Sequence, residues 1–156
     1  MDSGIEIYEI SDINYKEIYC EIYDFVHEND EDNKYGFDEW DVDYIKEMAE
    51  LNTSDIYVMY DGDTIIGVMK VDLFDGYIYL SDIIMSKNYR GRGYGKTFIY
   101  EVLDITENLE IDLNVDVRNT EAIIFYLKIG FEITGFVSKY YENEFGSVYM
   151  MFVKKD

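Results

Sequence analysis

The segment Arg90-Gly91-Arg92-Gly93-Tyr94-Gly95-Lys96 constrains this chain more than any other stretch. Three glycines and three cations are interleaved there, in a protein of net charge −21. With Lys87, four of the thirteen basic residues fall within ten positions. The run from Tyr77 to Met85 predicts a strand before the segment, and apolar periodicity from Tyr94 to about Asn108 predicts a helix after it. Strand, glycine turn and helix N-terminus in that order aim several backbone N–H groups, and the positive end of the helix dipole, at one point. A side chain in the turn would hold the backbone away from a ligand, and such turns often require positive φ. The segment reads as a phosphate cradle.

Spacing separates the templates that compete for it. A Walker loop has four residues between its first glycine and Gly-Lys-[Ser/Thr], whereas only Arg92, Gly93 and Tyr94 separate Gly91 from Gly95-Lys96-Thr97. The dinucleotide fingerprint needs glycine or alanine where Lys96 stands, and an early strand–turn–helix that the N-terminus does not offer. The template Gln/Arg-x-x-Gly-x-Gly/Ala is met in full by Arg90, Gly93 and Gly95. In this the segment resembles the pyrophosphate loop of the GNAT superfamily of acyl-CoA-dependent N-acyltransferases. About 25 residues on, Asn119, Ala122, Tyr126, Gly130 and Phe131 match that family's second signature, Asn-x-x-Ala-x-x-x-Tyr-x-x-x-Gly-Phe. The same stretch is a well-formed helix on local grounds. Asn119 or Thr120 can cap it, Glu121 sits in its first turn, and Gly130 is placed to end it. Ala122, Ile123, Phe125, Tyr126 and Ile129 form its apolar stripe. With two motifs in the right order, the chain is identified as a member of the superfamily.

The remaining elements agree in number and order. Ile5 to Ile10 alternates as a strand, and Ile13 to about Val26 and Val42 to Leu51 carry helical periodicity. Ile56 to Tyr60 and Thr64 to Leu73 are strands joined by Asp61-Gly62-Asp63, a hairpin signal. Asp75-Gly76 turns into the Tyr77–Met85 strand. After the long helix come a strand from Ile111 to Val117, the Asn119 helix, and a hairpin of Phe131 to Tyr140 with Ser147 to Lys154. The order β-α-α-β-β-β-α-β-α-β-β is the one that the GNAT resemblance implies, a mixed α+β fold. It implies a twisted, mostly antiparallel sheet of about seven strands with about four helices, in one domain spanning 1–156.

The resemblance also implies an activity and a site. Acetyl-CoA would be the cosubstrate, and an amine would attack it directly in a ternary complex. Arg90, Gly91, Arg92, Gly93, Tyr94, Gly95 and Lys96 would meet the pyrophosphate. Backbone N–H groups of Ile83, Ile84 and Met85 would hold the pantetheine arm and polarise the thioester carbonyl. Tyr126 matches the tyrosine that assists departure of the CoA thiolate, and Asn119 caps its helix and contacts the CoA arm. Asp82 shares a strand face with Ile78, Leu80 and Ile84, where an ionised carboxylate is costly unless paired. It either faces the cleft and receives, orients or deprotonates the acceptor amine, or it salt-bridges a neighbour or sits at a wet edge. Its context Tyr79-Leu80-Ser81-Asp82 looks like that of members acting on polyamines and other small amines. The residues just before Asn119 are Asp116, Val117 and Arg118, so the glutamate of protein N-terminal acetyltransferases does not carry over. Lys139-Tyr140-Tyr141-Glu142-Asn143 and Val148-Tyr149-Met150-Met151 are nevertheless similar to ribosomal-protein N-acetyltransferases.

Charge bears on the acceptor. Residues 1–63 carry a net −17 and residues 64–156 a net −4. The resemblance implies that the first two helices wall the acceptor side of the cleft; an acidic wall there would attract a polycation and disfavour nucleic acid, although the same charge also serves solubility. Tyr35, Phe37, Trp40 and Tyr44 either line an acceptor pocket or form the core of a small helical lid. His27 and Cys20 are the sole histidine and cysteine, which leaves no cluster for a metal and no internal disulfide. No basic-then-apolar leader and no membrane-length run is seen, so the expected address is the cytoplasm. The partners expected are acetyl-CoA and an amine, with the protein a monomer or homodimer. A non-catalytic acyl-CoA-binding module and a nucleotide site at Gly95-Lys96-Thr97 are the rival readings.

Overall fold

A computed structural model describes residues 4–138 and 145–155. The strands are β1 (Ile5–Glu9), β2 (Ser54–Asp61), β3 (Thr64–Phe74), β4 (Tyr77–Met85), β5 (Glu110–Asp116), β6 (Glu132–Val137) and β7 (Ser147–Val153). The helices are α1 (Ile18–Asn29), α2 (Val42–Glu50), α3 (Tyr94–Ile105) and α4 (Thr120–Ile129). Their order is the one expected, and the strands pair as β1-β2-β3-β4-β5-β7-β6. The final hairpin is thus folded back so that β7 lies between β5 and β6. The β4–β5 ladder is parallel and the β1–β2, β2–β3, β5–β7 and β6–β7 ladders are antiparallel. Contacts divide the chain into two units, Met1–Leu73 with Leu80–Val102, and Phe74–Tyr79 with Leu103–Asp156.

In the first unit, α1 and α2 cover one face of the sheet. Ile18, Ile22, Phe25, Val26 and Ile45 from the helices meet Ile56, Val58, Val68 and Ile84 from the strands. Phe37 and Trp40 are fully part of this core, so of the two readings of the aromatic segment they take the packing one. His27 has a structural task, donating its Nε2–H to the Trp40 carbonyl at 2.7 Å. Helix α1 starts at Ile18, later than the expected Ile13; ahead of it Ile10–Asp12 forms a 3-10 turn in which the Glu9 carboxylate accepts from Ser11 N at 2.6 Å. Asp41 caps α2, accepting from Tyr44 N at 2.8 Å. The β2–β3 hairpin turns at Gly62, whose φ of 62° is the positive value the Asp-Gly signal anticipates.

In the second unit, Ile111, Leu113 and Val115 of β5 are buried, as are Met150 and Phe152 of β7. Tyr126, Phe131 and Phe152 continue that core as a chain of ring contacts at 5.3 and 5.5 Å. Helix α3 stops at Ile105, short of the expected Asn108. Glu107 takes φ 57°, and the amides of Glu107 and Asn108 return to the carbonyls of Asp104 and Leu103. That bonding closes a helix end even without glycine. Among the described residues no helix is long and apolar enough to cross a membrane.

Candidate active site

The cradle segment lies wholly in the first unit. Strand β4 ends at Met85, and Ser86 N still bonds to Ile66 O at 2.7 Å, extending the hold of β3. Gly67 of β3 makes room here: a Cβ on it would lie 2.9 Å from the Met85 sulfur and 3.0 Å from the Phe98 ring. A short 3-10 turn, Lys87–Tyr89, leads to Arg90. Gly91 and Gly93 then take φ of 74° and 89°, a region unfavourable to residues with a side chain. Helix α3 begins at Tyr94. By helix geometry its first-turn amides, those of Gly95 and Lys96 included, lie beyond reach of any intrahelical carbonyl. A Cβ added at Gly91 or Gly93 would meet nothing within 4 Å. The turn therefore opens onto free space, as a loop that receives a ligand against its backbone must.

The cations of the loop divide. Arg92 and Lys96 are exposed. Arg92 bonds to Asn88 O at 3.0 Å beside the rings of Tyr89 and Tyr94, and Lys96 lies 5.7 Å from the Tyr100 ring centre. Arg90 differs from the expectation that it faces a pyrophosphate. Its Nε donates to Met85 O at 3.1 Å, another guanidinium nitrogen donates to Asn29 O, and its plane lies 4.6 Å from the Tyr35 ring centre. Buried Asn29 adds a second tie, accepting from Lys87 N at 2.9 Å. The guanidinium thus joins the end of β4 to the end of α1. Motif spacing carried no sign of this, since Asn29 lies 61 positions away.

Asp82 is half-buried on β4. Burial and the charge of Asp72 push its carboxyl up to about 6, and Lys70 pulls the other way. It shares none of the hydrogen bonds of the cluster whose charges act on it, where Lys70 donates to Asp72 at 2.9 Å and to Ser81 at 3.2 Å and Ser54 donates to Asp72 at 2.7 Å. The sequence reading missed this cluster. Its one signal was a lysine and an aspartate set into the otherwise apolar strand 65–73. Tyr44 of α2 belongs to the same surroundings, its phenol pushed up to about 12 by burial and by Asp82, Asp72, Glu39 and Glu47.

The remaining candidates lie in the second unit. Asn119 caps α4, its side chain accepting from Ala122 N at 3.1 Å. Gly130 ends the helix at φ 124°. Tyr126 is 9% exposed, with its ring edge-on to Phe125 and Phe131. Residues Lys139–Asn143 lie outside the described residues. Among the described residues no group of three or more His, Cys, Asp or Glu could hold a metal ion.

A sequence model of the acetyltransferase (GNAT) family matches residues 14–131, well over half of the chain. The chain belongs to the GNAT family. It is 32% identical over 78 residues to the uncharacterized N-acetyltransferase YobR of Bacillus subtilis (strain 168), covering 48% of this chain and 32% of that protein. It is 33% identical over 57 residues to the peptidyl-lysine N-acetyltransferase YjaB of Salmonella typhimurium, covering 36% and 38% respectively. This GNAT chain thus matches only about a third of the length of those curated relatives. The spermidine N-acetyltransferase of Vibrio cholerae, solved with CoA and spermine, shares the GNAT fold at 20% identity and a TM-score of 0.73, over 98% of this chain and 97% of that one.

Proposed function

We propose that this GNAT protein transfers an acetyl group from acetyl-CoA to a primary amine of a cationic acceptor, by direct attack in a ternary complex. The observation that carries this reading is that the strand bearing half-buried Asp82 leads, through one 3-10 turn, into the glycine turn and the start of α3. The turn's backbone N–H groups, with Arg92 and Lys96, take the diphosphate. The amides of Ile83, Ile84 and Met85 hold the pantetheine arm and polarise the thioester. Asp82, ionised at neutral pH with its carboxyl at about 6, takes the proton of the attacking amine. Bringing the two reactants into one geometry supplies much of the rate.

Tyr126 assists the departing thiolate. Full proton transfer from a phenol of pKa about 10 to a thiolate of about 8.5 is uphill by roughly 2 kcal/mol. A hydrogen bond to the developing charge therefore serves as well as complete transfer. The net −17 of residues 1–63 favours polyamines, aminoglycoside-like amines or basic peptides over anionic acceptors. The spermine-bound neighbour supports the first class, and the likeness to a peptidyl-lysine acetyltransferase supports a protein lysine as second reading.

The test is free-thiol release from acetyl-CoA across polyamines, aminoglycosides, amino acids and lysine-rich peptides. Turnover with polyamines is expected, with kcat/KM falling as the pH drops through about 6. Turnover with peptides alone would establish the second reading. Binding of acetyl-CoA without thiol release on any amine would reduce the protein to an acyl-CoA-binding module. Displacement of acetyl-CoA by ATP with magnesium would instead favour a nucleotide site.

A further inference from the structure

Lys70 stands mid-strand in β3 with 7% of its surface exposed, an unfavourable place for an ammonium without partners. Its Nζ donates to Asp72 at 2.9 Å and to Ser81 at 3.2 Å, and Ser54 fixes the same Asp72 oxygen at 2.7 Å. Lys70 stands opposite Ile56 across the β2–β3 ladder, and Ile56 packs in the same core as Ile84, which shares its strand face with Asp82; ammonium and proposed base therefore lie on one face of the sheet. As a stabilising device the ion pair is weak, since apolar residues of similar volume often serve as well. They cannot supply positive charge.

The groups that act on Asp82 are Lys70 and Asp72 from β3 and Tyr44 from α2. Asp72 and burial both favour the neutral acid, and only Lys70 opposes them. Tyr44, pushed up to about 12, is uncharged and supplies no counter-ion.

We propose that Lys70 is a positioning residue for Asp82, its anchored ammonium holding the neighbouring carboxylate in the charged form that can take the acceptor's proton. The proposal rests on the reading of Asp82 as the base. Its experiment therefore includes a measurement that does not depend on turnover. The Asp82 carboxyl is titrated by 13C NMR in the full chain, for the native protein, Lys70→Met, Lys70→Arg and Asp72→Asn. The pH profile of kcat/KM with acetyl-CoA and spermidine is recorded beside it.

Removing the opposing charge should raise the Asp82 midpoint, by on the order of one pH unit. Lys70→Arg should keep the midpoint near the native value, and Asp72→Asn should lower it. The acid limb of kcat/KM should follow, so that Lys70→Met loses most activity near pH 6.5 and recovers at high pH. General structural damage would lower the whole profile instead. Equal Asp82 midpoints in the native protein and Lys70→Met would overturn the proposal. Should Lys70→Met fail to fold, Asp72→Asn decides: a fall supports the inferred field, and no change or a rise refutes it. A midpoint that moves without moving the kinetic limb would remove Asp82 as the base while leaving Lys70 as the group that charges it.

Discussion

Replacing Gly93 by valine tests the cradle directly. Gly93 holds φ 89°, and a Cβ built there meets nothing within 4 Å. The cost to the fold is therefore conformational alone, about 1–2 kcal/mol for an L-residue in left-handed backbone. For a chain of this size that corresponds to a fall of roughly 3–6 °C in Tm. Gly62 supplies a matched control, because it too has positive φ (62°) and open space around its Cβ, but it lies in the β2–β3 hairpin. Gly62→Val should show a similar loss of Tm and no change in acetyl-CoA affinity. Gly93→Val should in addition weaken acetyl-CoA binding at least tenfold, about 1.4 kcal/mol, by blocking approach of the diphosphate to the turn. Isothermal titration calorimetry and thermal melting on both variants give the two numbers. Native affinity in Gly93→Val, or an equal loss in Gly62→Val, would refute the cradle.

Four further substitutions probe the rest of the site. Tyr126→Phe should lower turnover while leaving acetyl-CoA affinity near normal, and equal kcat in both forms would remove its role. Asp82→Asn should raise stability at pH 7.5 and change little at pH 4. The raised carboxyl binds its proton more tightly when folded, so its stabilising effect is full below about pH 4 and is lost as the pH rises through about 6, a difference on the order of 3 kcal/mol; a Tm gain at pH 4 as large as at pH 7.5 would contradict this. Asn119→Ala should cost about 1 kcal/mol through loss of the α4 cap, with Asn119→Ser recovering most of it in thermal melts. Arg90→Lys keeps the charge but not the fork that reaches both Met85 and Asn29, so it should destabilise by about 2 kcal/mol in urea, close to Arg90→Met; full rescue by lysine would mean that charge alone matters there.

The sequence was legible where one neighbourhood of the chain decides the outcome. Strand β4 runs over the expected residues Tyr77–Met85, Asn119 caps α4, and the turn glycines at 62, 76, 91, 93 and 130 all take positive φ. Each depends on contacts within about four residues, which residue type and spacing encode. Reading failed where the deciding partner is remote or a residue acts out of type. Glu107 adopts a glycine's conformation to end α3. The insertion of β7 between β5 and β6 is a matter of sheet pairing that alternation cannot show. Arg90 is the instructive case. The motif identified the loop from its spacing, yet the guanidinium at its first position is engaged by carbonyls at the ends of β4 and α1. A spacing pattern reports where a backbone must bend and come close to a ligand, because glycine placement has few alternatives. It says less about a long flexible cation, whose partner is chosen by whatever the fold brings within reach.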